Sequence, residues 1–210
     1  MSSTGYNFRK QGHPRTLGKK IVIGCEGEKT EPIYFNAIRS SIRIPSARIR
    51  VLCDGSAPMS VVQNVVSVIA DVSEFNPADG DEAWAVFDGD EHIHQDKSGW
   101  DRALALAIKH GIKVAISNPC FELWFLLHFQ DQTGNLDRAE ARKKLKAHVP
   151  DYEKSKNLYP EHLKERTAAA IKRALALEVT HARNAVIHYT NPSSRVHELI
   201  SILLGMEDLE

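Results

Sequence analysis

Four short apolar runs, each followed by a polar or glycine-containing turn and then by a stretch with helical spacing, fill about 110 consecutive residues, and this alternation restricts the chain to few architectures. Ile21-Val22-Ile23 passes into Gly24-Cys25-Glu26-Gly27, the pattern of a buried strand ending in a glycine turn. Thr30-Glu31-Pro32 then predicts a helix start, with Thr30 as cap and Pro32 in the first turn, and Ile33, Tyr34, Ala37, Ile38 and Ile42 form one apolar stripe. Ile49, Val51 and Cys53 alternate in a second strand over Arg48 to Cys53, and Asp54-Gly55-Ser56 turns into a helix through Met59, Val62, Val65, Val66 and Ile69. Ala83 to Phe87 is the third strand, closed by Asp88-Gly89-Asp90. Ser98 and Asp101 have capping-box spacing ahead of a helix that stops at Gly111. Ile112 to Ile116 is the fourth strand, and Asn118-Pro119 predicts the start of a helix carrying Phe121, Leu123, Trp124, Leu127 and His128.

This order predicts an α/β fold, a Rossmann-like parallel sheet with helices on both faces. Residues 1–18 lack periodicity and read as a flexible basic arm, and residues 19–130 read as the α/β domain. Residues 131–210 read as a helical C-terminal section packed on or beside it, with helices over Leu136 to His148, over His162 to Val179 and from Asn191-Pro192 onward. No apolar run reaches the roughly 18 residues of a membrane span and no apolar leader is visible, so a soluble, cytoplasmic protein is expected. Three separated cysteines, Cys25, Cys53 and Cys120, suggest neither a disulfide framework nor a thiolate zinc site.

The net charge is zero, from 27 Lys+Arg and 27 Asp+Glu, but the charges are segregated. Residues 71–101 hold ten acids against Lys97 alone, a local charge of −9. Residues 1–20 carry +5, and residues 136–183, with twelve basic and seven acidic side chains, also carry +5. An acidic metal site between basic surfaces that hold a polyanion fits this layout, as do plain solvated faces.

In an open parallel sheet, the loops at the carboxyl ends of the strands converge on the ligand. Glu26, Glu28, Lys29 and Glu31 follow the first strand and Asp54 the second. Asp88, Asp90 and Glu91 follow the third, and Ser117, Asn118 and Glu122 the fourth. Carboxylates crowded at one rim repel each other, and a divalent cation relieves that repulsion. In extended backbone Asp88 and Asp90 would face the same side, with Gly89 easing the crowding between them, and hard oxygen ligands suit Mg²⁺ or Mn²⁺. Glu26-Gly27-Glu28-Lys29-Thr30 is not a P-loop. Glu28 interrupts the Gly-Lys-Thr sequence, and Glu26 places negative charge where phosphates would be cradled. An aspartyl-nucleophile phosphatase would carry its Asp-x-Asp after the first strand, whereas here the pair follows the third.

Ile21-Val22-Ile23-Gly24-Cys25-Glu26-Gly27-Glu28-Lys29-Thr30-Glu31-Pro32, Phe87-Asp88-Gly89-Asp90-Glu91-His92, Ser117 to Trp124, and Asn191-Pro192-Ser193-Ser194 with Val196-His197-Glu198-Leu199 together resemble the RloB family over about residues 20–204. RloB-like proteins are bacterial, are associated with restriction and abortive-infection loci, and resemble the TOPRIM superfamily of topoisomerases, primases and nucleases. The resemblance implies a TOPRIM-like α/β fold and a Mg²⁺- or Mn²⁺-dependent nuclease acting on DNA, RNA or tRNA in antiphage defence. On that basis Glu26 corresponds to the TOPRIM glutamate, a general acid/base or metal ligand. Asp88 and Asp90 correspond to the metal-binding pair, and Glu122 to a further catalytic acid. The aspartate usual after the Glu-Gly is replaced by Glu28 and Glu31 nearby. Lys29, Asn118 and His92 are candidate substrate-binding residues. Nucleic acid and a partner protein of a defence system are the expected partners, and an oligomer is compatible with the chain. A non-catalytic TOPRIM-derived subunit and a Mg²⁺-dependent phosphatase or nucleotide hydrolase remain alternatives.

Of the other side chains, His128, His188 and His197 read as structural histidines among apolar neighbours, and Phe121, Trp124 and Phe125 as core. His94 reads as a polar loop residue, and Arg142, Lys143, Lys144 and Lys146 form the best basic patch, either touching nucleic acid or facing solvent.

Overall fold

The structure, a computed structural model, describes residues 18–53, 57–72, 75–183 and 190–206, without the side chains of Asp90, Glu91, His94 and Arg183. Residues 1–17 of the basic arm read over 1–18, Asp54 and His188 therefore lie outside the described residues.

The four apolar runs form β1 (Ile21–Cys25), β2 (Ile49–Leu52), β3 (Glu82–Asp88) and β4 (Lys113–Asn118), all mutually parallel. A fifth strand, β5 (Ser193–Ser194), joins antiparallel to β4, which gives the order β2-β1-β3-β4-β5. The chain is α/β, with a five-stranded, mostly parallel sheet. Every residue of β1 is buried, because helices cover both faces of the sheet. One face, through Val22, Ala85 and Phe87, packs on α2 (Pro58–Asp71) and α4 (Lys97–Lys109). The other, through Ile21, Ile23, Trp84 and Val86, packs on α1 (Thr30–Ser41) and α5 (Phe121–Leu127). The same apolar cluster takes in α6 (Arg138–His148), α7 (Thr167–Arg183) and α8 (Val196–Leu204), so these helices share one core with the sheet. Gly24 is needed on β1 because α2 lies directly against it, and a Cβ there would overlap the Val65 side chain.

Several helix starts differ from the sequence expectation, each for a local reason. Asn118-Pro119 does not open α5. Asn118 is still in the sheet, paired with Ser193, and Cys120 is the capping residue. Asn191-Pro192 leads into β5, and α8 begins at Val196. Asp96, rather than Ser98, caps α4 by accepting from the Gly99 N–H at 2.9 Å. Thr30 lies inside α1 and donates its hydroxyl to the Lys154 carbonyl at 3.2 Å.

Phe121, Trp124 and Phe125 are core, as their spacing predicts. His128 is buried beside them, with Nδ1 2.9 Å from the Trp124 carbonyl and Nε2 without a hydrogen-bond partner. Burial pushes its pKa down to about 4. The folded state therefore favours neutral imidazole, and the stability present above the ordinary histidine value is lost as pH falls from about 6.5 toward 4. Comparing urea unfolding at pH 7 and pH 4.5, wild type should lose about 2–3 kcal/mol more than His128→Leu. Equal losses in the two proteins would show that His128 does not titrate in this way.

Candidate active site

The strand order reverses direction between β1 and β3, which is where ligands gather in open α/β sheets. Glu26 follows β1 and Asp88 ends β3, and the two are tied together: the Asp88 N–H donates to Glu26 Oε2 at 3.0 Å. Glu26 Oε1 lies 2.6 Å from His92 Nε2 on α3 (Asp90–Gln95). Asp88 Oδ1 accepts from the Phe121 N–H at 2.9 Å, where α5 begins. These carboxylates open into a cleft of about 370 Å³ that is also lined by Gly27, Glu28, Lys29, Thr30, Glu31, Glu122, Arg138 and Lys154.

The turn from β3 corrects one expectation. Gly89 takes φ −101° and ψ −30°, and Asp90 begins α3, so Asp88-Gly89-Asp90 is not an extended run of backbone. The Ile93 N–H closes the first helical turn on the Gly89 carbonyl at 3.0 Å while Ile93 packs on the α2/α4 side of the core, which pulls the chain out of the strand. The Asp90 side chain, expected to pair with Asp88 on a metal, lies outside the described residues.

Electrostatics single out two carboxyls. Burial, followed by repulsion from Glu31, Glu26 and Glu122 and opposed by Arg138, holds Asp88 well above the usual carboxylate range. Burial also raises Glu31, with a backbone hydrogen bond opposing and Glu122 and Glu26 adding repulsion. Glu31 folds back over Gly27, where a Cβ would meet its carboxylate, so the glycine makes room for this acid. Glu122 behaves differently. Burial alone would raise it, but the Arg142 guanidinium at 2.8 Å holds it low, and the Tyr152 hydroxyl donates to the same oxygen at 3.2 Å.

Of the residues singled out in the sequence, Glu26, Lys29, Asp88 and Glu122 line one cleft, and His92 reaches it through Glu26. Asn118 does not line it. It is buried at the end of β4 and borders a neighbouring groove of about 300 Å³ with Pro119, Asn135, Leu136 and Asn191. Glu31, in the first turn of α1, also belongs to the cleft. Arg138 and Lys154 carried no local signal, because they come from a later segment that folds over the rim. The basic patch is split: Arg142 turns inward to Glu122 and Lys144 donates to Gln132 at 2.8 Å, while Lys143 and Lys146 face solvent.

A second group, Glu178, His197 and Glu198, brings three ligand atoms within 4.8 Å of one another. Arg195 pairs with both glutamates there, and His197 Nδ1 lies 3.0 Å from the Ser194 carbonyl, so this group ties α7 to α8 as a structural network.

The fold and the cleft define an α/β protein with an acidic site at the reversal point of a mostly parallel sheet. The chain belongs to the RloB-like family, since the family described as RloB-like protein matches residues 21–203. No curated protein and no solved structure matches it. No helix among the described residues is long and apolar enough to cross a membrane.

Proposed function

We propose that this RloB-like protein is a divalent-metal-dependent nuclease of TOPRIM type that hydrolyses phosphodiester bonds of DNA or RNA in bacterial antiphage defence. The observation that carries this reading is the convergence of Glu26, Glu31, Asp88 and Glu122 in one cleft, with Asp88 pushed up by burial and by Glu31, and Glu31 by burial and by Glu122 and Glu26. Such crowding suits a cation with hard oxygen ligands. The nearby thiols do not suit a soft metal, because burial raises both Cys25 and Cys120 and keeps them protonated.

Asp88 and Glu26 would hold Mg²⁺ or Mn²⁺, with Glu31 beside them and Asp90 adjacent in sequence. The ion would supply Lewis acidity to a phosphodiester oxygen. Glu26, backed by His92 at 2.6 Å, would take a proton from an attacking water, and the His92 imidazole would steady that carboxylate. Lys29 is exposed on the cleft wall, and with Lys154 it offers positive charge to the substrate phosphates. Glu122 anchors Arg142 and Tyr152, fixing the wall on the α6 side. The defence role rests on the family resemblance.

The test is cleavage of single-stranded and duplex DNA, RNA and tRNA with Mg²⁺, with Mn²⁺ and with EDTA. Metal-dependent cleavage that falls by about 10²-fold in Glu26→Gln is the expected result. Wild-type protein without metal-dependent cleavage on any of these substrates would favour a non-catalytic subunit, and turnover of nucleotides or phosphomonoesters alone would favour a phosphatase.

A further inference from the structure

The acidic rim is faced by cations from one helix, and the two ion pairs they make are unequal. Arg138 and Arg142 lie one turn apart on α6 and point to the same side. The helix itself is held firmly. Asp137 and Glu140 form a capping box, Ala141 and Leu145 are fully buried, and the Asn191 amide bonds both backbone groups of Leu136 at 3.1 and 2.7 Å. Arg142 meets Glu122 through Nε at 2.8 Å, and the Tyr152 hydroxyl joins on the same oxygen, so this pair is a fixed contact. Arg138 meets Asp88 Oδ2 at the longer distance of 3.2 Å, and it lines the open cleft, where Arg142 does not.

Asp88 Oδ1 is already engaged by the Phe121 N–H, so Oδ2 is the oxygen that Arg138 and an incoming cation would both seek. Two positive groups on one carboxylate oxygen repel each other. A guanidinium released from Asp88 stays on a rigid helix at the mouth of the same cleft, and its planar fork matches a phosphate. We propose that Arg138 is an exchangeable counter-ion: it neutralises Asp88 in the metal-free protein, competes with the divalent cation for that carboxylate, and passes to a substrate phosphate once the cation is bound. Arg138 is thus both a brake on metal binding and a substrate-positioning residue. This inference rests on the metal-site reading above.

The test is calorimetric titration of Mn²⁺ into wild type, Arg138→Gln and Arg138→Lys, followed by binding of a fluorescent single-stranded oligonucleotide, as DNA and as RNA, in Ca²⁺ over a series of salt concentrations. Arg138→Gln should bind Mn²⁺ about 3- to 10-fold more tightly, a gain that a merely damaged fold would not produce. The same variant should bind the oligonucleotide more weakly, with the slope of log K against log salt reduced by about 0.7 to 1, and Arg138→Lys should restore most of the slope. Equal or weaker Mn²⁺ binding in Arg138→Gln, or an unchanged salt slope, overturns the proposal while leaving the metal site standing. Absence of Mn²⁺ binding to the wild type overturns the metal-site reading and the proposal together.

Discussion

Asp88→Asn should lose about 10³-fold in the rate of metal-dependent phosphodiester cleavage, equivalent to about 4 kcal/mol of transition-state stabilisation. The substitution keeps the shape of the side chain and the oxygen that accepts from the Phe121 N–H, but removes the charge at the centre of the cleft. The same change should leave stability unaltered or raise it by about 1 kcal/mol, because Asp88 is ionised in the folded protein only against burial and against repulsion from Glu31, Glu26 and Glu122. Arg138, which loses a charged partner, is part-exposed and can turn to water. Single-turnover cleavage and urea unfolding on the same preparation check both halves. A large loss of stability alongside the loss of cleavage would mean that Asp88 is a structural acid, and near-normal cleavage would remove it from the chemistry.

Trp124→Ala should cost about 3–5 kcal/mol of unfolding free energy, in the range of large aromatic deletions from a packed core. Trp124 is completely buried in α5. Its Nε1–H donates to the Tyr34 hydroxyl at 2.9 Å, and its ring meets His128 edge to face at 4.9 Å. Truncation opens a cavity and leaves the buried Tyr34 hydroxyl without that donor. Trp124→Phe should cost less, because it refills most of the space and loses only the hydrogen bond. Denaturant unfolding followed by far-UV circular dichroism checks the difference. If Trp124→Ala were as stable as wild type but bound nucleic acid poorly, the residue would be a base-stacking platform, contrary to its burial.

The sheet was legible because its signal is local. The central strands β1 and β3 are short apolar runs, Ile21 to Ile23 and Ala83 to Phe87, buried on both faces and bounded by turn residues, and the edge strand β2 shows itself by the alternation of Ile49 and Val51. β5 was not legible, because Ser193 and Ser194 carry no apolar pattern and owe their strand geometry to pairing with Asn118 and Ser117. The same pairing moved the start of α5 past Asn118-Pro119. Capping motifs failed where a competing partner lay close, as when Asp96 took the Gly99 N–H ahead of Ser98.

In the candidate site, Glu26 and Asp88 were legible from their positions after apolar strands, since strand ends in a parallel sheet must meet at one rim. Glu31 could be placed near that rim, but its burial over Gly27 could not be foreseen. The extended reading of Asp88-Gly89-Asp90 failed because a helix starts at Asp90, and a tripeptide carries no information about which geometry its neighbours impose.

The zero net charge shows where the division falls. The sequence by itself determined that the acids cluster after strands and that a basic block follows at residues 136–183, because composition and spacing are properties of the chain. Only the tertiary structure decided that part of this block turns onto the acids. Arg138 and Arg142 reach Asp88 and Glu122 across fifty and twenty residues because α6 is fixed by Ala141 and Leu145 in a core shared with the sheet. Burial of that apolar face sets the orientation of the helix, and the orientation brings opposite charges to contact distance, where their interaction is strong.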